Sequence, residues 1–420
     1  MGNVARHHAS RYFERVLHLA FILDWLSSLA AAAAQATLWP ALAALPWMLL
    51  PFVMVWRLRG SRTLDGEAPD PPAGAPLVSV IIPARNESRN IARCLGSVIG
   101  ATYRAIEVIV VDDRSEDDTA AIAQEIADRD RRVRVIEAPP LPDGWFGKQW
   151  ACENGAMAAN GSILLFADAD TAHGPELIAR SVNAIRAREL DFLTVFGRQE
   201  MKSFWERVVQ PHIFAMIAMR FGGTGEVNRS RRVQDKIANG QCIFMTRRAY
   251  EAIGGHASVR LKPAEDLALA QRSFTTGQRT EMIIGVDHLA TRMYGSLREI
   301  VDGWTKNIWT AAPDAAPWGR VGRALLAPAL LLPPLLILAP PLVLLAQLIG
   351  HVNPNLIAWA MICTGVMLVF WTLVYAALAG YTPLYAFTYP LGAGIVLYII
   401  VRAMARGRRV EWKGRGYVTR

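Results

Sequence analysis

Hydrophobic and polar positions divide the chain into three zones. Ala36 to Trp56 is a run of 21 residues without a charged side chain. At about 1.5 Å per residue it can cross a ~30 Å hydrocarbon core. Arg57, Arg59 and Arg62 follow it and mark that side as cytoplasmic by the positive-inside bias. Upstream, Val16–Leu29 is apolar but interrupted by Asp24. With Arg6, Arg11 and Arg15 before it and Ala34-Gln35-Ala36 after it, this stretch has the outline of a signal peptide. A mid-segment Asp fits an interfacial helix better.

The middle zone begins after a Pro/Gly/Asp-rich linker, residues 61–76. Val78–Ile82, Ile106–Val111, Val133–Ile136, Ile163–Phe166 and Phe192–Phe196 are short apolar runs, the first four separated by segments of helical spacing. Alternating strands and helices predict a parallel sheet covered on both faces, whose ligand site lies beyond the carboxyl ends of the strands. After Arg323 the chain is apolar again. Residues 324–349 are interrupted by Pro333-Pro334 and Pro340-Pro341, and Leu356–Ala379 and Thr382–Val401 are of spanning length. Three simple spans would put the basic tail outside, so the proline-broken segment is expected to be re-entrant or interfacial. The expected layout is a basic and interfacial segment (1–35), a span (36–56), a linker (57–76), a cytoplasmic α/β domain (77–323), a membrane region (324–401) and a basic cytoplasmic tail (402–420).

Composition agrees with a soluble domain flanked by membrane segments: 52% hydrophobic and 19% charged is too apolar for a wholly soluble chain and too charged for one buried in lipid. The net charge of +9 sits largely in the tail, where residues 402–420 hold seven Arg/Lys against one Glu. That placement suits a membrane surface and gives no reason to expect nucleic acid. Cys94, Cys152, Cys242 and Cys363 are scattered, which excludes a disulfide scaffold or a zinc ribbon.

Candidate chemistry gathers at the strand ends. The first strand ends in VSVIIPARNE (78–87), the second in VVDDRSEDDT (110–119) and the fourth in LFADADT (165–171). Three parallel strands thus deliver Glu87, Asp112 and Asp113, and Asp168 and Asp170 to one edge. Such a set repels itself unless a cation or hydrogen-bond donors neutralise it, and hard oxygen ligands suit Mg²⁺ or Mn²⁺ bridging to a diphosphate. A lone D-x-D says little, since roughly one is expected by chance in a chain this long. Asp128-Arg129-Asp130, in a charged helix tail, is one. Glu265-Asp266 follows Pro263 at a helix start, where acidic residues are also ordinary dipole partners. Lys148, in Gly144-Trp-Phe-Gly-Lys, is suited to a phosphate or to solvent. The aromatic-rich Ser203–Phe221 reads as a core helix or as one lying in the bilayer plane.

The ordered set VSVIIPARNE, VVDDRSEDDT, FADAD and AED (264–266) resembles the family-2 glycosyltransferases, which have a GT-A fold, over about residues 76–310. The resemblance implies that Glu87 and Asp113, with Asp112 beside them, contact a nucleotide. It implies that Asp168 and Asp170 hold the sugar diphosphate and its divalent cation (Mg²⁺ or Mn²⁺), and that Asp266 is the general base of an inverting transfer. Lys148 then belongs to the nucleotide-sugar site, and Glu265 and Trp304 to the acceptor side. Trp304 stands where processive synthases carry Q-x-x-R-W; only the Trp is present, which favours a single transfer. Gly240-Gln-Cys-Ile-Phe looks like the strand lining the acceptor side, and the tail Glu411-Trp-Lys-Gly-Arg-Gly-Tyr417 is similar to endings of related membrane enzymes. The layout is most similar to the bacterial hopanoid-associated glycosyltransferases; ceramide and carotenoid glycosyltransferases share much of it. The resemblance implies an inner-membrane enzyme moving sugar from a nucleotide-sugar, UDP-linked by expectation, to a lipid hydroxyl. A polyprenyl-phosphate glycosyltransferase and a membrane nucleotidyltransferase are the alternatives.

Overall fold

The computed structural model describes residues 23–31, 34, 37–350, 352–378, 381–406, 409–412 and 415–418. The basic segment 1–22 and the rest of the tail lie outside the described residues. The chain divides into two compact units, one up to Val55 together with Ala329–Tyr398, the other Trp56–Pro328 together with Ile399–Arg420.

In the first unit the expected span is a short helix α1 (Trp39–Ala43) running into α2 (Leu45–Leu58). Later in the chain come α13 (Leu326–Ala346), α14 (Pro354–Ala377) and a 3₁₀ turn (Pro383–Thr388) that leads into α15 (Tyr389–Arg406). Among the described residues four helical segments, Trp39–Leu58, Leu326–Ala346, Pro354–Ala377 and Pro383–Arg406, are long and apolar enough to cross a membrane. The two proline pairs do not interrupt α13. They stand seven residues apart, about two turns, so their missing N–H groups share one side of the helix. The backbone N–H and the Oγ1 of Thr37, just before α1, donate to Asn355 Oδ1 at the start of α14, at 2.8 and 3.1 Å. Trp47 and Trp359 meet edge to face at 5.3 Å.

The second unit holds the α/β domain. Its elements run β1 (Val78–Ala84), α3 (Ile91–Ile99), β2 (Ile106–Asp112), α4 (Thr119–Ala127), β3 (Val133–Glu137), α5 (Gly147–Ala158), β4 (Ile163–Ala167), β5 (Thr171–His173), α6 (Leu177–Arg188), β6 (Phe192–Phe196) and β7 (Arg198–Gln199). Then follow α7 (Phe204–Phe221), α8 (Thr224–Arg229), β8 (Cys242–Thr246), α9 (Arg247–Ala252), α10 (Glu265–Thr275), β9 (Thr280–Ile284), β10 (Leu289–Thr291), α11 (Leu297–Ala315) and α12 (Arg320–Ala324). Seven strands form the main sheet in the order β3-β2-β1-β4-β8-β6-β9. β8 runs antiparallel to both β4 and β6; every other pair is parallel. The five apolar runs are all strands, and one buried cluster covers each face of the sheet. The tail forms a hairpin, β11 (Arg409–Trp412) with β12 (Arg415–Val418).

The linker is more ordered than its composition suggests. Leu64 is fully buried in the core, and Thr63 pairs with Ile284 as a parallel bridge. Asn183 on α6 donates to the carbonyls of Ala68 and Asp70, both at 2.8 Å, and Arg186 to that of Ala73 at 2.9 Å. Residues 61–76 are therefore a strap bound along α6. At the other end of this unit, Arg402 on α15 reaches Asp302 on α11, Nη2 to Oδ1 at 2.6 Å.

Helix α5 can approach the sheet because position 155 carries no side chain: a Cβ there would collide with Ile81 Cγ2 and lie 3.0 Å from Val111 Cγ2. Gly155→Ala should therefore lower unfolding stability by about 1–3 kcal/mol through overpacking. Denaturant titration of the purified protein measures it; an unchanged midpoint would show that α5 can shift freely.

Candidate active site

The ends of β1 and β2 are tied to each other before they present any carboxylate. Arg85, buried, donates through Nη1 to the carbonyls of Asp113 and Arg114 at 2.7 and 2.8 Å, and its Nη2 pairs with Glu116 at 3.0 Å. The backbone N–H of Asn86 donates to Ser115 Oγ at 3.1 Å, and that of Glu87 to Thr119 Oγ1 at 2.7 Å. Asn86 and Arg114 hold φ of 53° and 55°. Non-glycine residues in this region are costly and persist only when their surroundings fix them. The Asp112 carboxylate accepts from the Ser115 hydroxyl at 2.5 Å and its N–H at 3.2 Å, so it shapes the loop. Asp113, next to it, is 2% exposed. Glu87 Oε2 accepts from Asn90 Nδ2 at 2.8 Å.

Asp168 and Asp170 follow β4. The Asp168 carbonyl caps the turn, accepting from Thr171 Oγ1 at 2.7 Å. Lys148, in the first turn of α5, places its ammonium between two carboxylates: Nζ lies 2.7 Å from Asp168 Oδ1 and 2.7 Å from Glu265 Oε1. Burial opposes the charge on Lys148, but Asp168 and Glu265 outweigh it and hold its pKa well above the usual lysine value. Glu265 is likewise kept below the ordinary glutamate range, where Lys148 overcomes the effect of burial. Asp170 has no such partner. Its Oδ1 is buried and without a hydrogen-bond partner among the described residues, and burial, then the Asp168 and Glu87 charges, push it up to about 8.

Asp266 opens α10 beside Glu265. Its Oδ2 accepts from the Gly240 N–H at 3.1 Å and its Oδ1 from the Leu267 N–H at 2.7 Å, so both oxygens are oriented by backbone. Burial and then the neighbouring Glu265 raise its pKa to about 6. Gly240, just ahead of β8, is the contact point. The cleft between these elements is lined by Lys148, Phe166, Asp168, Gly240, His256 and Glu265 among others.

Trp304 is 7% exposed on α11 and belongs to an aromatic cluster, 5.9 Å from Phe214 and 6.2 Å from Tyr294. Phe214 sits on α7, so the aromatic helix Ser203–Phe221 packs against α11 along this side. Two site residues escaped sequence reasoning. Lys306, two residues after Trp304, is held below the usual lysine range by burial, with Glu265, Lys148, Asp168 and Asp266 all close enough to act on its charge. His256, in the cleft wall, is kept neutral at about 3 by burial, and its Nδ1 lies 2.9 Å from the Tyr250 hydroxyl, which donates to Glu153 at 2.8 Å. Neither lies in a recognisable motif; a lysine two residues after the retained Trp was the only available signal.

Among the described residues no three His, Cys, Asp or Glu side chains converge as a ready cation cage. Asp168 and the unpartnered Oδ1 of Asp170 nevertheless fit a hard cation that takes one or two carboxylates and fills its remaining positions from phosphate and water.

Residues 79–254, which run from β1 past α9, match the family model for Glycosyl transferase family 2. The sheet-bearing segment is therefore similar to family 2 glycosyltransferase domains over that stretch. The chain is 28% identical over 245 residues to the 4,4'-diaponeurosporenoate glycosyltransferase of Staphylococcus aureus strains MRSA252 and USA300, an alignment covering 57% of this chain. It spans 63% of those relatives' length. A mannosyltransferase from Pyrobaculum calidifontis, solved with GDP-mannose and Mn²⁺, superposes with a TM-score of 0.52 at 19% identity, over 90% of this chain and 98% of that one. The fold is thus GT-A-like.

The raised Asp170 gives a signed pH effect. In the folded site it releases its proton near pH 8, and in the unfolded chain near the ordinary value of 3.8, so folding loses stability as pH rises through that window. Asp170→Asn should raise the melting temperature of the metal-free protein at pH 8, by about 2–4 °C for each kcal/mol relieved, with a smaller gain at pH 5. Mn²⁺ should raise the melting temperature of the wild type and not of the variant. A variant melting below wild type at pH 8 would refute the repulsion account.

Proposed function

We propose that this chain is a membrane-bound, cation-dependent, inverting glycosyltransferase that moves a sugar from a nucleotide-sugar, UDP-linked, to a lipid hydroxyl. What supports this most is Asp266. A carboxylate with both oxygens oriented by backbone N–H groups, and a proton affinity raised to about 6, suits a general base working near neutral pH. In the proposed reaction the acceptor oxygen attacks the anomeric carbon from the face opposite the diphosphate. The new C–O bond forms as the bond to the diphosphate breaks, Asp266 takes the hydroxyl proton, and the nucleoside diphosphate leaves with the electron pair. Glu87 and Asp113 bind the nucleotide and Lys148 lends positive charge to the diphosphate. A cation held by Asp168 and Asp170 would supply further charge to the leaving group. Glu265 and Trp304 face the acceptor side in this reading. The acceptor class is a terpenoid lipid of the hopanoid kind, as the sequence resemblance suggests.

The name of the Staphylococcus relatives favours a second reading, since a 4,4'-diaponeurosporenoate acceptor is a carboxylate and needs no base. A polyprenyl phosphate would not need one either. Asp266→Asn separates these. With a hydroxyl acceptor, transfer should fall by about 10²–10⁴-fold while binding of the nucleotide-sugar is retained. Near-normal transfer by the variant would point to a carboxylate or phosphate acceptor, or to nucleotidyl transfer.

The enzyme is proposed to lie in the bacterial inner membrane with its α/β domain cytoplasmic, as donor supply requires and Arg57, Arg59 and Arg62 support. The ion pair from Arg402 to Asp302 supports a tail on the same side as the domain. Thr37 precedes the first span and bonds Asn355, which supports α14 starting on the far side and α13 crossing in full. The segment that enters and leaves by one face is then 378–401 rather than 324–349. Single cysteines at Gln124, Ile349 and Thr419 should divide two to one under impermeant labelling, with Ile349 alone reacting from outside. Ile349 labelled from the cytoplasmic side would restore the re-entrant reading of 324–349.

A further inference from the structure

The Lys148 ammonium stands on the same Asp168 carboxylate that the proposed function gives to the cation, and the inference below rests on that reading. Nζ is bracketed at 2.7 Å by Asp168 Oδ1 from the end of β4 and by Glu265 Oε1 from the start of α10. The helix turn that carries it is fixed. The Phe146 N–H donates to the Arg260 carbonyl at 3.2 Å, Gln149 Nε2 to the Lys262 carbonyl at 2.6 Å, and Trp150 Nε1 to the Pro139 carbonyl at 2.9 Å. The ammonium can therefore change partner by rotation about its four-carbon stem and not by movement of the backbone.

A divalent cation arriving alone at Asp168 and Asp170 would meet an ammonium already in contact with Asp168, and like charges that close repel. A diphosphate brings the missing negative charge. With it present, Lys148 can give up Asp168 for a phosphate oxygen, leaving both carboxylates of the D-x-D to the cation.

We propose that Lys148 is a guard that makes cation and nucleoside diphosphate bind as a unit, each weakly alone and each strengthening the other. Because Lys148 also holds Glu265, the neighbour of Asp266, its swing reports donor arrival to the proton-accepting side of the site. The guard exchanges an ion pair within the protein for one to the diphosphate, and so couples the two binding events.

Calorimetry with full-length protein in detergent tests this, using Mn²⁺ alone, UDP alone and Mn²⁺ in saturating UDP, with GDP in parallel. The wild type should bind Mn²⁺ about 10–100-fold more tightly with nucleotide present, and UDP should gain by the same factor with Mn²⁺. Lys148→Met should bind Mn²⁺ alone about tenfold or more tightly than wild type, with the coupling reduced to what direct cation–phosphate contact supplies. Lys148→Arg, which keeps the charge, should keep the coupling and serves as the comparison if the Met variant fails to fold. Unchanged affinity of Lys148→Met for Mn²⁺ alone, or loss of coupling in Lys148→Arg, would overturn the guard and leave the glycosyltransferase reading intact. A wild type that binds Mn²⁺ and nucleotide independently would do the same. A wild type that binds neither would overturn both.

Discussion

Repulsion among carboxylates at one sheet edge is the constraint that the rest of the domain answers to. Parallel strands end on the same side, so the topology that buries the apolar runs also collects Glu87, Asp113, Asp168 and Asp170 there. The carboxylates on and around this edge are answered in several ways. Asp112 is spent on Ser115, Asp168 and Glu265 share one ammonium, Asp266 is oriented by two backbone N–H groups, and Asp170 keeps an unpartnered oxygen. Among the described residues the arrangement leaves Asp170 Oδ1 unsatisfied, which is the opening the proposed cation would use. A site balanced completely by its own side chains would have no free energy left for a ligand.

What was legible in the sequence follows from what is local. Strands β1, β2, β4 and β6 were readable because each buries nearly every side chain and so appears as a largely apolar run, whereas β3 is marked only by Val133, Val135 and Ile136 around an exposed Arg134. The D-x-D was readable because it ends such a run. Strands β5, β10 and β7, which form a small three-stranded sheet in that order and are only two or three residues long, leave no pattern. Lys306 and His256 could not be found because what matters about them is their neighbours, brought together from α10, α9 and β4 across long stretches of chain. The linker was misjudged for a related reason: proline and glycine predict the absence of helix and strand, but not the absence of tertiary partners. The membrane region shows the opposite error. Proline pairs suggested a broken segment, yet α13 continues through both.

Aromatic side chains connect the two halves of the proposed chemistry. Trp304 sits on α11 against Phe214 of α7, and Lys306 follows two residues along the same helix. Asp302, a turn earlier, is held by Arg402 from α15. One helix thus carries a contact to the chain's last apolar segment, an aromatic wall and a cation near Asp266.

The strap over α6 sets a practical boundary on how this protein can be taken apart. A soluble fragment that starts at the first strand, residue 77, would remove Leu64 from the core and strip the carbonyl partners from Asn183 and Arg186. It would also leave β9, a sheet edge, without the bridge from Thr63. Exposed edges of that kind invite strand addition by other chains, so the shorter fragment is the one to aggregate. Cutting after the first span, near residue 57, keeps the strap and the covered edge together.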